Sequence, residues 1–506
     1  MSRVLIGQSY FLRFDPKLWR AMQPYPPLGS LYAASVVRDR GHAVSFFDSM
    51  LASSEADWGQ AVATHSPDVA VLFEDNFNYL SKMCLLRMRT AAFRMLGMAR
   101  RHGCVTVASG SDATDNPERY LDNGADLVIL GEGELTLGEL LDHLTGPNRR
   151  EPTNTPGLAF RGANGQLIKT GHRENLRELD GIPFPAWDLI DVDLYRRAWT
   201  RHRRFSVNMS TTRGCPYHCN WCAKPIWGQR YAVRSPGNVV AELDWLRKTL
   251  APQHISFVDD IFGLRPGWVR AYADLARRHQ VAIPFKCLSR ADLLLRDGEI
   301  EALREAGCET VWIGAESGSQ RILDAMEKGT RIEQIAEASQ RLHSAGIQVG
   351  FFLQFGYPGE GTADIEATRR LVREARPDDI GISVSYPLPG TRFHERVRAE
   401  LGARRNWIDS EDLSMLYRGP FSTSFYRQLH RVVHKEFRLR KSAGTVSLST
   451  HMARAARNFR SRDRLARLRD AVTLPLDQLV LDNRGRFERW AARRQTLRPV
   501  SLGDGR

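Results

Sequence analysis

The sequence predicts an α/β fold: a doubly wound parallel sheet, then a partial parallel barrel of six strand–helix units, (β/α)6, then a helical extension. Three observations carry this expectation. Short apolar runs alternate with helical stretches through residues 1–145. The alternation resumes and repeats six times between residues 205 and 390. Beyond residue 391 the strand-like runs stop and the pattern becomes helical and Arg-rich. Strands separated by helices pair in parallel, because each helix carries the chain back along the sheet. The expected domains are 1–145, a connector at 146–200, the barrel at 201–395 and a basic extension at 396–506.

In the first domain the strands are residues 4–7, 42–48, 67–73, 104–109 and 126–130. Residues 28–40 read as a helix closed by Gly41, 81–101 as one long helix, and 134–144 as the last. Ligands on such sheets bind beyond the carboxyl ends of the strands. Those ends carry residues 8–10, 74–79, 109–114 and 131–134. The connector has a hairpin around Gly162 and Gly165, then a Pro-rich stretch at 182–187 that reads as an ordered bridge. The barrel strands are 207–211, 254–259, 285–289, 310–315, 348–355 and 380–386, with helices such as 236–250 and 332–345 between them. Six units make an open version of the eight-fold barrel, whose chemistry belongs at the carboxyl ends of its strands. Residues 407–426 mix acids with aromatics and are expected to pack.

The chain of 506 residues is long enough for two or three domains. Its net charge of +14 is uneven: residues 427–506 alone hold 20 Lys plus Arg against 7 Asp plus Glu. That excess suits an anionic membrane surface, an anionic substrate or RNA, or a solvated helical face. Nucleic acid is the less favoured partner, and peripheral membrane contact through the tail stays open. No run of about 20 apolar residues is present, so no membrane span is expected. The N-terminus reads as a strand, not a secretory signal. With seven cysteines, an odd number, the chain is expected to be cytoplasmic and without disulfides.

Three of those cysteines stand in residues 213–223 (RGCPYHCNWCA): Cys215, Cys219 and Cys222, spaced C-x3-C-x2-C directly after the first barrel strand. Three thiolates so placed can hold three irons of a [4Fe-4S] cluster and leave the fourth iron open. Zinc is the other reading, with His218 as fourth ligand, but ligands at the adjacent positions 218 and 219 fit one tetrahedron poorly.

The spacing resembles that of the radical S-adenosylmethionine (SAM) enzymes, and motifs in order along the barrel extend the resemblance. It implies that SAM binds the open iron and is cleaved to a 5′-deoxyadenosyl radical, with the electron coming from an external donor such as flavodoxin or ferredoxin. Trp221 holds the aromatic position before the third cysteine. Residues 257–262 (FVDDIF) match the place that meets the SAM amino group, which points to Asp259 or Asp260. A helix N-cap is the alternative role there. Arg290 suits the SAM carboxylate, or else a salt bridge to Asp292. Residues 313–319 (IGAESGS) put Gly314, Glu316 and Ser317 at the ribose or methionine end. Residues 350–360 (GFFLQFGYPGE) bring Gln354 to the adenine side, and 386–391 (YPLPGT) match the sixth-strand motif. Cys287 and Cys308 are expected in the core.

The first domain resembles the Rossmann-like cobalamin-binding domain that precedes this barrel in a large radical SAM class. The residues are 25–29 (YPPLG), 41–44 (GHAV), 109–114 (SGSDAT) and 130–134 (LGEGE). The resemblance implies corrin contacts from Ser109, Gly110, Ser111, Thr114, Gly131, Glu132, Gly133 and Glu134. No D-x-H-x-x-G is present, so a histidine ligand to cobalt is not expected, and residues 74–79 (EDNFNY) are placed to cover the lower corrin face instead. The family usually shows GGPHAT where this chain has SGSDAT. A domain that kept this fold without its ligand is the alternative. Residues 407–417 and 425–430 look like the extension of proteins similar to the anaerobic magnesium-protoporphyrin monomethyl ester cyclase.

Together these imply a radical SAM enzyme with cobalamin that methylates an unactivated carbon of a small-molecule or lipid-like substrate. A cyclase or oxidoreductase using the same parts is the first alternative, and an RNA-modifying protein using the basic tail is the second. Only Cys84 and Cys104 precede the barrel, so the second cluster of the methylthiotransferases is not expected.

Overall fold

The computed structural model describes residues 1–145, 152–222, 226–443 and 461–496. The first domain is one seven-stranded sheet in the order β2-β1-β3-β4-β5-β6-β7. Its strands are β1 (Arg3–Gly7), β2 (Ala43–Phe47), β3 (Val69–Phe73), β4 (Val105–Ser109), β5 (Leu127–Ile129), β6 (Leu158–Arg161) and β7 (Leu167–Lys169). The first five pair in parallel, and apolar side chains on both faces of β1, β3 and β4 are buried by flanking helices. Strand order reverses between β1 and β3, and that reversal opens a crevice at their carboxyl ends.

The hairpin expected in the connector forms β6 and β7, and it joins the first sheet antiparallel to β5. The sheet therefore runs past residue 145. The long helix expected at 81–101 is two helices, Tyr79–Lys82 and Leu86–Arg101. They break at Cys84, whose φ is +54°. The Met83 carbonyl is thereby freed to accept from the Tyr386 hydroxyl of the barrel at 3.1 Å. A tertiary contact outweighs helical propensity here.

The barrel strands are β8 (Ser206–Met209), β11 (His254–Phe257), β12 (Phe285–Ser289), β13 (Cys308–Glu316), β14 (Gln348–Phe355) and β15 (Asp379–Val384). They lie side by side in chain order, every neighbouring pair parallel. A two-strand ribbon, β9 (Thr212–Arg213) with β10 (Ala232–Val233), follows β8. Cys287 and Cys308 are buried in this core. Residues 407–426 pack as expected, with Trp407, Tyr417, Phe421, Phe425 and Tyr426 buried. Two helices, Thr423–Ala443 and Ser461–Thr496, close the described chain. Among the described residues no helix is long and apolar enough to cross a membrane.

Candidate active site at the meeting of two sheet edges

The cysteine loop leaves and returns through the β9–β10 ribbon. Gly214 has φ +79°, and a Cβ there would stand 2.2 Å from the Arg230 carbonyl oxygen, so glycine is what lets the two arms close. Farther along, Asn220 clamps the loop to the opposite side of the barrel. Its backbone N–H donates to Met326 O at 3.0 Å, its amide to Ala325 O at 2.9 Å, and its side-chain oxygen accepts from Tyr357 OH at 2.8 Å. Trp221 packs on the cluster of Ile322, Met326, Tyr357 and Phe393. Tyr217 lies under the Arg290 guanidinium, 3.6 Å from its ring centre.

Cys215 is buried against Ile261 and Leu293, while Cys219 and Cys222 are half-buried. Among the described residues no three His, Cys, Asp or Glu side chains converge as a cage for one metal ion. A cubane spreads its thiolates around a cluster instead of gathering them at one ion. Three cysteines on one braced loop are the donor set it takes, and His218 is exposed.

The other barrel residues singled out from the sequence fall into two groups. Asp259 is turned inward. It accepts from Thr211 N and Thr212 N, both at 2.7 Å, from Thr211 Oγ1 at 2.8 Å and from Ser210 Oγ at 3.2 Å. Burial pushes its carboxyl up to about 6, against those hydrogen bonds. It is an anchor for the strand-to-loop turn, and its full set of donors leaves it poorly placed for a ligand amine. Ser317 is also turned away: it is buried beside Thr368 Oγ1 at 3.2 Å and caps Ser319 N at 3.1 Å. Gln354 donates to Ser385 Oγ at 2.9 Å inside the core.

Arg290, Asp260 and Glu316 stay at the mouth. Arg290 pairs with Asp292 at 2.9 Å, the alternative read from the sequence. Asp260 pairs with Lys82 of the first domain at 2.8 Å. Glu316 adopts φ +57° at a bulge in β13 and pairs with Lys328 at 3.0 Å. A Cβ on Gly314 would meet both Glu316 and Lys328 at 2.6 Å, so glycine makes room for that pair. Burial alone would lower the Lys328 ammonium; Glu316 and Cys219 more than reverse it.

The carboxyl edge of the first sheet differs. Gln8, directly after β1, is fully buried, and neither side-chain amide atom has a hydrogen-bond partner. Ser9 Oγ, next along the chain, and Ser109 Oγ, at the end of β4, are also buried and unpartnered. Glu74 ties this edge together by accepting from Ser9 N at 3.1 Å, and burial pushes its carboxyl up to about 7. Gly110 has φ +132°, and a Cβ there would stand 2.7 Å from Glu74 Cβ. Gly131 N donates to Thr114 Oγ1 at 3.1 Å, while a Cβ on Gly133 would meet Ser109 Oγ at 2.9 Å. Ser111 Oγ lies 3.4 Å from Asn76. Unpaired buried polar atoms are costly unless something completes them, so this edge fits a polar ligand. Two of the expected contacts are otherwise engaged. Glu132 and Glu134 both grip Arg213, Glu134 at 2.9 Å, and Glu132 also accepts from Leu176 N at 2.6 Å. Burial raises the Glu132 carboxyl, with Arg213 pulling the other way.

Arg213 is two residues before Cys215, so that ion pair joins the first sheet's edge directly to the cysteine loop. Its guanidinium also lies over Tyr32 and Phe77 at 5.3 and 5.7 Å. Phe77 packs on Trp227 at 4.8 Å, and Lys82 sits 5.0 Å above that same indole. Tyr79 stands in the gap between the domains with 57% of its surface open. Gln8 falls in the strand end at residues 8–10 that the sequence marks for ligand binding, but Arg213, Lys82, Lys328 and Asn220 were not singled out. Their partners lie far along the chain, 81 residues away for Arg213 and 178 for Lys82, beyond the reach of any local motif. Glu316 and Lys328, only 12 apart, meet through the bulge.

Residues 209–372 match the Radical SAM superfamily, so the chain carries a radical SAM domain, and a [4Fe-4S] cluster and SAM are that family's cofactors. The chain is 29% identical over 390 residues to an uncharacterized methyltransferase, PH0819, of Pyrococcus horikoshii, covering 76% of this chain and 81% of that protein. It is 24% identical over 326 residues to the anaerobic magnesium-protoporphyrin IX monomethyl ester cyclase of Synechocystis, covering 64% and 63%. In three dimensions it resembles the radical SAM methyltransferase TsrM of Kitasatospora setae, with a TM-score of 0.63, 20% identity and coverage of 80% and 79%. It also resembles the cobalamin-dependent radical SAM enzyme OxsB, with a TM-score of 0.61, 19% identity and coverage of 74%; the chain spans about half, 52%, of OxsB. The architecture of a doubly wound sheet followed by an open barrel is therefore shared with those two enzymes. The chain carries a radical SAM domain within that fold.

Proposed function

We propose that this enzyme is a cobalamin-dependent methylase that acts on an unactivated carbon of a small-molecule or lipid-like substrate. One observation carries the reading. The edge of the first sheet that holds unpartnered Gln8, Ser9 and Ser109 is joined by Arg213 to the loop of Cys215, Cys219 and Cys222. A corrin seated on the first edge would then face the barrel mouth. Relatives named as methyltransferases, and the cobalamin bound by both structural neighbours, support it.

When bound, the cluster and SAM would supply a radical that removes hydrogen from carbon, and the corrin would supply the methyl group. The chain's own residues do the rest. Cys215, Cys219 and Cys222 hold the cluster. Trp221 covers one side of its loop, and its buried indole N–H lacks a protein partner. Arg290 and the Glu316–Lys328 pair offer fixed charges at the mouth for the SAM carboxylate and ammonium. Gln8, Ser9, Ser109 and Gly110 offer hydrogen bonds and close backbone approach to the corrin. Phe77, Trp227 and Tyr79 line the gap with aromatic surface, which keeps water from a carbon radical.

The test is anaerobic reconstitution followed by turnover with SAM, a reductant and methylcobalamin. A product heavier by one CH2 is expected. A reconstituted protein that binds no corrin would defeat the methylase reading. A product that has gained oxygen or lost hydrogen would move it to the cyclase-like alternative.

A further inference from the structure

The helix Ser461–Thr496 is built with its polar side inward. Its acids face the helix Thr423–Ala443: Asp470 pairs with Arg438 at 2.8 Å, Asp477 with Lys435, and Glu488 accepts from Ser422 N at 2.7 Å. Leu481 is the one fully buried large apolar residue of this helix between positions 465 and 490, and Leu474 is partly buried beside it. The opposite side carries Leu465, Leu468, Val472, Leu476 and Leu479, then Phe487 and Trp490, whose rings lie 5.9 Å apart. These side chains are between 50% and 73% exposed.

Their spacing of three, four, four and three residues, resumed at 487 and 490, keeps all of them within one arc of a helix of 3.6 residues per turn. The stripe is roughly 38 Å long at about 1.5 Å per residue. A water-facing helix places such residues inward; this one does the reverse, and a continuous exposed apolar stripe marks a contact surface. The charges beside it decide what it contacts. Between residues 465 and 490 the helix has five arginines and four acids. Asp470, Asp477 and Glu488 are consumed on the inward side, while Arg469, Arg484, Arg486 and Arg489 are exposed, with Asp482 the single exposed acid.

We infer that this stripe lies on an anionic lipid bilayer surface, with the leucines and the Phe487–Trp490 pair sunk among the acyl chains and the flanking arginines at the phosphates. An apolar face bordered by Arg is the pattern of an interfacial helix, and each nearby cation strengthens binding to an anionic leaflet. A second copy of the chain is the poorer occupant, because pairing two such stripes would set arginine rows against each other. RNA is poorer still, since phosphates gain nothing from leucine. The inference does not depend on the proposed reaction: it concerns where the enzyme sits, and it needs no cofactor.

The test is co-sedimentation of the full chain with phosphatidylglycerol-containing vesicles and with pure phosphatidylcholine vesicles, at low and high salt. Binding to the anionic vesicles is expected, weakened by salt. Leu476→Asp combined with Leu479→Asp should abolish it. Arg484→Glu with Arg486→Glu should lower it by about tenfold or more, at roughly a factor of five per cation. All four positions are exposed, so circular dichroism and gel filtration should show both variants folded as wild type. Three outcomes overturn the inference: equal, salt-insensitive binding to both vesicle types; no vesicle binding, with self-association that the leucine variant removes; or salt-sensitive RNA binding without vesicle binding.

Discussion

The two parallel sheets finish their carboxyl edges in opposite ways. On the barrel, residues that match family motifs are largely bonded to one another: Asp259 to Thr211 and Thr212, Arg290 to Asp292, Glu316 to Lys328, and Gln354 to Ser385. On the first sheet, Gln8, Ser9 and Ser109 are buried with side-chain atoms that no protein group completes. A barrel mouth that satisfies itself holds its shape before any ligand arrives. An edge with open hydrogen-bonding capacity gains most from a ligand, because an unmet buried polar group costs about 1–3 kcal/mol. The difference teaches that motif residues need not be the ones left available: the barrel's motifs are mostly scaffold, and the open capacity sits on the first sheet, at Ser109 of its 109–114 motif and at Gln8 and Ser9, which belong to no motif.

The sharpest separation of the two edges comes from Cys215→Ala. It should remove the visible iron–sulfur absorbance and all SAM cleavage, while corrin binding to the first domain, followed by its own spectrum, stays intact. Loss of both together would mean the edges are one site. Next is Arg213→Met, which strands Glu132 and Glu134 in the interior. It should cost about 3–5 kcal/mol in denaturant unfolding, because a buried charge loses its partner. Adding Glu132→Gln and Glu134→Gln should recover much of that loss.

A paired substitution then compares the glutamines. Gln354→Leu breaks a bond to Ser385 and should lower stability by about 1 kcal/mol. Gln8→Leu breaks no protein bond, so the melting temperature should hold or rise while corrin affinity falls; equal losses at the two positions would erase the contrast. The smallest effect is a slope with pH. Glu360 is buried, accepts from Gly356 N at 2.7 Å, and is pushed by burial up to about 8. A carboxyl raised in the folded state favours folding most when protonated. That contribution is full below its ordinary range near 4.5 and declines as pH rises through about 8. Glu360→Gln should flatten the fall of melting temperature between pH 5 and 8.

Much of this was legible in the chain. The strand positions, the parallel pairing and the order of the barrel follow from alternating apolar runs, because period and turn chemistry act over a few residues. The cysteine triplet was legible for the same reason: its ligands share eight residues. The helix expected at 81–101 was not, since Tyr386, some 300 residues later, bonds to the Met83 carbonyl where that helix breaks. Likewise, motif position brought Asp259 and Asp260 forward together, and only the folded chain separated an inward anchor from a residue that reaches Lys82.

What the sequence determined by itself was therefore the local grammar: two runs of strand and helix, a three-thiol loop at the end of a strand, and a basic tail. Tertiary structure decided which polar groups are consumed and which remain open. It also decided which side of the last helix faces water and how the two edges meet through Arg213. The reason is range. Helical and strand periodicity is written in neighbouring residues, whereas a buried charge finds its partner only after distant segments have packed and excluded the water that would otherwise serve in its place.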